Sequence, residues 1–284
     1  MLPAMAAKSS IAIVGAGRLG NALALELRRA GYRIAEIVSR KPSPKTRALG
    51  KKLKARILTS GPLTADLVWF CVPDGAIRAT AHDFAERLEW RSKYAFHSSG
   101  ALASDELDDL SQRGARVASL HPMMTFVRGS VPSLEGVSFA LEGDPAAVRM
   151  ARRIVRDLGG RAFSILPRNK AAYHAWGGFC SPLLVALLTT GEQVARLAGL
   201  SAHDARKKML PIVQQTMANY AELGPAGAFS GPLLRGDVEV VRKHLRTLKE
   251  IPQAQDIYVA LARAALHSLP TRNRADLKKA LGRT

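Results

Sequence analysis

Three glycines in the segment Gly15-Ala16-Gly17-Arg18-Leu19-Gly20 recur at the spacing G-x-G-x-x-G. The apolar run Ile11-Ala-Ile-Val14 stops at the first of them, and a helical pattern reaching Ala30 follows at once. Strand, tight turn and helix in that order hold a pyrophosphate. Gly15 permits the turn, Gly17 lets backbone N–H groups approach the phosphates, and Gly20 lets the helix pack closely on the strand. The helix N-terminus adds unsatisfied donors and a partial positive charge. All six residues are therefore expected to line a dinucleotide.

The tip of the second strand decides which dinucleotide. A site selective for NAD carries an acid there to hold the ribose diol. Here Ile34-Ala-Glu-Ile-Val38 ends in Ser39-Arg40-Lys41, with no acid at the tip. A hydroxyl and two cations suit a 2′-phosphate, so NADP is expected. Glu36 is expected to point into or across the sheet. The fourth strand ends in Val72-Pro73-Asp74, whose backbone is placed to line the nicotinamide ribose. The fifth ends in His97-Ser98-Ser99-Gly100, which puts two hydroxyls, Ser98 and Ser99, on the same rim.

Lys170 and His174 lie four residues apart in a helical pattern and share a face. Ser181 continues that face, and Gly177 and Gly178 between them suggest close approach by a ligand or helix. Hydride reduction of a carbonyl or imine needs a proton donor and positive charge near the developing anion. Lysine supplies both, and burial lowers its pKa toward a useful range. Two assignments stand: Lys170 as the acid, or His174 as the acid with Lys170 as electrostatic stabiliser. His121, held extended by Pro122, is a third candidate. Arg235 in Arg235-Gly236-Asp237 is a candidate for a substrate carboxylate, and Asp237 is placed as a helix N-cap.

These residues need a frame. From Ile11 to about Leu166, eight short apolar runs alternate with helical segments; beyond Pro167 only helical periods remain. The expected fold is α/β: a doubly wound, mostly parallel sheet over residues 1–166 followed by an all-helical domain over 167–284. At 47% hydrophobic residues, the 284-residue chain can bury two cores. No apolar run in the sequence looks long enough to cross a bilayer. Cys71 and Cys180 have no metal-type spacing, so no metal and a cytoplasmic location are expected. The net charge of +19 raises nucleic acid as a partner. No recognition motif accompanies it, and only 6% of residues are aromatic, so neither a specific nucleic acid nor a membrane is expected. An acid-free basic run from Arg40 to Arg56 lies instead beside the expected 2′-phosphate site.

Taken in order, Gly15–Gly20, Val72-Pro73-Asp74, His97–Gly100 and Ser119-Leu120-His121-Pro122 resemble Rossmann-like oxidoreductases with a helical second domain of unknown function. So do Lys170, Tyr173-His174, Ser230-Gly231-Pro232 and Arg235-Gly236-Asp237. Pyrroline-carboxylate reductases, ketopantoate reductases, β-hydroxyacid dehydrogenases and deazaflavin-dependent NADP oxidoreductases are wider relatives. The resemblance implies a nicotinamide enzyme with a helical dimerisation domain and supplies no substrate. With the strand tip read for NADP, the expected function is an NADP(H)-dependent oxidoreductase acting on a small, anionic carbonyl or imine. Lys170 is similar in placement to the general acid/base lysine of the β-hydroxyacid dehydrogenases. Pro182 departs from the pattern, since relatives tend to carry Asn after the serine corresponding to Ser181. That departure keeps a second expectation open, a non-catalytic NADP(H)-binding sensor.

Overall fold

The computed structural model describes residues 8–282. Eight strands form one sheet in the order β3-β2-β1-β4-β5-β6-β7-β8. They are β1 Ile11–Val14, β2 Ile34–Val38, β3 Arg56–Leu58, β4 Leu67–Phe70, β5 Tyr94–His97, β6 Arg116–Pro122, β7 Ser138–Gly143 and β8 Arg161–Ser164. Helices α1 (Arg18–Arg29), α2 (Pro44–Leu53) and α3 (Ile77–Arg87) connect the first strands, with α4 (Asp108–Gln112) before β6 and α5 (Pro145–Asp157) before β8. The sheet is the expected doubly wound one, and all pairs are parallel except β6 with β7. Residues 123–137 between those two strands contain no helix, so no crossover returns the chain to the same end. Sequence reading missed α4 and α5.

Both faces of the sheet are covered. In β1, Ile11 and Ile13 belong to one apolar cluster and Ala12 and Val14 to the other, as the two-residue period of a strand requires. This sandwich leaves the carboxyl ends of the parallel strands as the rim where backbone groups and side chains can meet a ligand.

A first compact unit runs to Gly178 and a second starts at Phe179. Helix α6, Lys170–Cys180, therefore lies almost wholly in the sheet-containing unit. The second unit holds α7 Pro182–Leu197, α8 Ala202–Ala228, the short α9 Pro232–Arg235, α10 Val238–Leu248, α11 Pro252–Ser268 and α12 Arg274–Ala280. Helix α8 is kinked at Gly224, whose φ is 69°.

Two expectations change. The single helical pattern read across Lys170–Ala198 is broken at Ser181, where φ is −131° and ψ −80°, and Pro182 opens a new helix. Ser181 therefore does not continue the Lys170–His174 face. The expectation that no apolar stretch is long enough to cross a membrane also fails. By length and composition, Pro167–Leu197 is long and apolar enough. The break at Ser181 divides it, and its Lys170 is only 1% exposed within the sheet-containing unit.

Candidate active site

A cavity of about 810 Å³ lies along the carboxyl ends of β1, β2, β3 and β4. Its walls include Gly15 and Gly17, the tip Ser39-Arg40-Lys41, and Val72-Pro73. One groove thus gathers the three motifs that the sequence placed apart. Two walls were not foreseen: Thr59-Ser60-Gly61 after β3, and the face of α3 that carries Ala76, Ala79, Thr80, Asp83 and Arg87. The spacing of Ala79, Thr80, Asp83 and Arg87 is helical, so the signal was present; what was missing was knowledge of which α3 face meets the groove.

Each glycine of the turn has its own reason. Gly15 has φ +100°, and a Cβ there would lie 2.7 Å from the Cys71 carbonyl oxygen. At Gly20 a Cβ would lie 2.0 Å from the Gly15 carbonyl oxygen. At Gly17 it would meet no protein atom within 4 Å. The chain's own packing therefore does not require glycine at 17; the space a side chain would fill is left open at the mouth of α1. No side chain caps α1 and its first turn holds no acid, so its N–H groups and dipole face the groove without competition. These features fit a pyrophosphate. Arg18 is exposed, Ala16 and Leu19 are half-buried, and none of the three is a groove wall.

The strand tip also fits. Arg40 and Lys41 are exposed and have no ion-pair partner among the described residues. Glu36 is fully buried and turned away, as expected. Its Oε1 accepts from Arg56 at 2.6 Å and from the Thr64 backbone and hydroxyl at 3.0 and 2.6 Å. Burial works against its charge, but these hydrogen bonds hold its carboxyl below the usual range.

The carboxyl ends of β5 and β6 are built differently. Ser98 and Ser99 were expected on the cofactor side, yet both are buried and their hydroxyls are committed inside the protein. Ser98 Oγ accepts from the Trp69 indole at 2.8 Å. Ser99 Oγ donates to Asp74 at 2.8 Å and accepts from the backbone N–H groups of Ala101 and Leu102. Asp74 is thus a turn-holding residue too, and it is not a groove wall. His97 accepts from the Ser99 N–H at Nδ1, and its Nε2 lies 2.9 Å from the Ala103 carbonyl. A carbonyl only accepts and an N–H only donates, so His97 is the neutral Nε2–H form. Burial and the nearby Lys170 charge depress its pKa to about 4.

Lys170 is likewise enclosed. Its ammonium donates to the Ser99 carbonyl at 3.0 Å and to Ser119 Oγ at 2.5 Å, and lies 3.8 Å from Glu142 Oε1. Two of its three N–H groups are hydrogen-bonded, and the Glu142 carboxylate lies at ion-pair distance. Lys170 is thus buried, as the lowered pKa expected of it requires, and it stands as a cation beneath the turn. Burial lowers its pKa, and Glu142 opposes the shift.

Above the turn lie two imidazoles. A Cβ at Gly100 would stand 2.6 Å from His174 Cδ2 and 2.9 Å from His121 Nε2. Lys170 and His174 thus meet the same turn, as their spacing implied, one from below and one from above. His121 Nδ1 is 2.7 Å from the Tyr173 hydroxyl. Burial raises the Tyr173 pKa to about 12, so the phenol keeps its proton; it meets Nδ1 as donor in one neutral tautomer of His121 and as acceptor in the other. Burial first, then the charges of Lys170 and His174, depress His121 to about 4. Tyr173 was quoted in the sequence only as part of a resemblance; its reach to a histidine 52 residues away has no local signal.

The remaining candidates stand apart from this cluster. Gly177 has only the Met123 sulfur at ordinary contact distance, and Gly178 faces open space. In the helical unit, Arg235 Nε donates to Asp237 at 2.8 Å, so its guanidinium is already paired. Asp237 occupies the N-cap position of α10 but makes no side-chain cap bond.

Comparison with known proteins fits this picture. Residues 4–122 match a Rossmann-like domain, and residues 137–265 match a domain of unknown function, DUF2520. The chain carries a Rossmann-like domain followed by DUF2520. The DUF2520 match begins at the edge of β7, so Glu142 and Lys170 belong to it, whereas Ser99 and Ser119 belong to the Rossmann-like match. Similar solved structures include a candidate NADP oxidoreductase from Bacteroides fragilis, with 23% identity, TM-score 0.75, and 90% of this chain and 97% of that one covered. A reductive aminase from Aspergillus terreus, in complex with NADPH4, cyclohexanone and allyl amine, has 16% identity and TM-score 0.63 over 96% and 98% of the chains. A pyrroline-5-carboxylate reductase from Coxiella burnetii has 16% identity and TM-score 0.60 over 90% and 98%. No curated protein matches this chain in sequence.

Proposed function

We propose that this protein is an NADP(H)-dependent oxidoreductase acting on a small carbonyl or imine. The observation that carries the reading is the single groove that joins Gly15 and Gly17 to Ser39, Arg40 and Lys41. Bound there, NADPH supplies hydride. The chain would hold its pyrophosphate on the open N-terminus of α1 and its 2′-phosphate on Ser39, Arg40 and Lys41. Val72 and Pro73 form the wall nearest β5 on that rim. The folds of the similar Bacteroides, Aspergillus and Coxiella proteins support the reading, since they are described as a candidate NADP oxidoreductase, a reductive aminase and a pyrroline-5-carboxylate reductase.

The substrate end is the surface above Gly100. His121 presents its Nε2 edge, and His174 is the exposed imidazole beside it. Lys170 serves as the stabilising charge below, the second of the two sequence assignments. Hydride addition to a protonated imine gives a neutral amine without a further proton, so a C=N substrate suits a site whose lysine is buried against Ser99, Ser119 and Glu142. The same observation favours a second reading, a non-catalytic NADP(H) sensor. Titration of NADPH against the purified protein tests the groove. Incubation of the complex with small imines and keto acids, followed by NADPH absorbance, separates enzyme from sensor.

The helical unit supports the expected homodimer. Helices α7 and α8 each contain one buried residue, Glu192 and Ala205, while Leu183, Val185, Ile212, Met217 and Tyr220 are exposed. A helix needs an apolar face covered to be stable in water. Light scattering of the eluting protein is expected to give twice the chain mass of 30.6 kDa.

A further inference from the structure

We propose that Glu142 is a positioning residue: it pins the Lys170 ammonium beneath the 97–104 turn and so sets the His121 and His174 rings above Gly100. The proposal rests on reading that surface as the substrate end. Glu142 sits in β7 directly opposite Ser119 of β6, and Ser119 is in turn opposite His97 of β5. A row of polar side chains, His97, Ser119 and Glu142, thus crosses three neighbouring strands.

Both carboxylate oxygens of Glu142 are used. Oε1 accepts from the Ser104 N–H at 2.8 Å and faces Lys170 Nζ at 3.8 Å; Oε2 accepts from Ser104 Oγ at 2.8 Å. Glu142 therefore grips the turn at both ends, Ser104 directly and Ser99 through Lys170. Lys170 is 1% exposed, and a buried ammonium without a counter-charge is strongly unfavourable. Among the described residues, Glu142 is its one carboxylate within ion-pair distance. Asp74 and Asp105 act on Lys170 only at longer range, and His97 and His121 are the groups its charge presses on. His121 also faces His174 and Tyr173.

The fixed ammonium has a second consequence. It opposes protonation of His121, which stays neutral down to about pH 4. A residue that only supported folding would leave that titration where it is.

The test uses the full-length protein labelled at histidine ring nitrogens and followed by NMR from pH 8 to 4, with NADPH affinity measured in parallel. E142Q keeps the side-chain shape but strands the ammonium, which then loses its proton. The His121 midpoint is expected to rise by one unit or more, while NADPH affinity stays within twofold. Should E142Q fail to fold, the double variant E142Q/K170M replaces the ion pair by an uncharged one. Its His121 midpoint is expected to rise as far as in K170M alone, because the two residues act as one unit. A His121 titration unchanged in all variants, with the fold intact, overturns the proposal. Absence of NADPH binding to the unmodified protein would instead remove the reading of function, and the histidine titration would still decide the role of Glu142.

Discussion

The two ends of the sheet rim solve opposite problems. At the ends of β1 to β4 the protein leaves groups open: an uncapped helix, a glycine with empty space beside it, and two unpaired cations. At the ends of β5 and β6 nearly every polar atom is closed off by another: Ser98 by Trp69, Ser99 by Asp74, Lys170 by Ser99, Ser119 and Glu142. An open end is suited to taking up a charged ligand from water. A closed end is suited to holding a few groups still while chemistry happens beside them. Binding and chemistry are therefore separable in this protein, and substitutions can pull them apart.

The largest effect is expected at Gly20. A G20A side chain would enter the Gly15 carbonyl, 2.0 Å away, and disturb the turn itself. NADPH affinity by fluorescence titration is expected to fall more than a hundredfold. Next, R40A/K41A removes the charges at the strand tip but leaves the turn. Hydrogen bonds to charged groups contribute about 1.5–3 kcal/mol, so NADPH is expected to bind about 10- to 100-fold more weakly. NADH, lacking the 2′-phosphate, should change by less than about twofold on the same argument. At the closed end, G100A would push a methyl to within 2.6 Å of the His174 ring. Turnover is expected to fall about tenfold, a loss of about 1.4 kcal/mol in transition-state stabilisation, with NADPH affinity kept. A G100A enzyme with weakened NADPH binding and full turnover would contradict the separation.

A further effect is on stability against pH. His97 and His121 have folded pKa values near 4, below the 6.5 of an unconstrained histidine. Below pH 6.5 the unfolded chain takes up protons that the folded one refuses, so stability is full above that pH and declines as pH falls toward 4. For the fully buried His97 the loss by pH 5 is about 2 kcal/mol, and for His121 somewhat less. Thermal melts between pH 8 and 5 should show the melting temperature falling only below pH 6.5.

The open end was the more legible in sequence, for a physical reason. Backbone donors need glycines at fixed spacing, and a phosphate needs cations at a strand tip; both signals are local. The closed end is assembled from contacts between residues 51 and 71 positions apart, such as Lys170 with Ser119 and Ser99. Lys170 was singled out by type and spacing, but its partners, Ser99, Ser119 and Glu142, have no local signal. Glu142 carried a readable clue that was passed over, a lone charge in the apolar run Phe139-Ala-Leu-Glu142. Ser98 and Ser99 were misread because a hydroxyl at a strand end looks the same whether it faces a ligand or its own turn. The sheet was legible nearly to the residue, since eight apolar runs have few alternatives. The break at Ser181 was not, since one helical period continues across it.

The most direct measurement is a paired titration of the unmodified protein with NADPH and with NADH at moderate salt, followed by intrinsic fluorescence or calorimetry. At least about tenfold tighter binding of NADPH is expected, from one charge-assisted contact to the 2′-phosphate. Equal affinity, or tighter binding of NADH, would contradict the assignment of Ser39, Arg40 and Lys41 as the site that reads the cofactor.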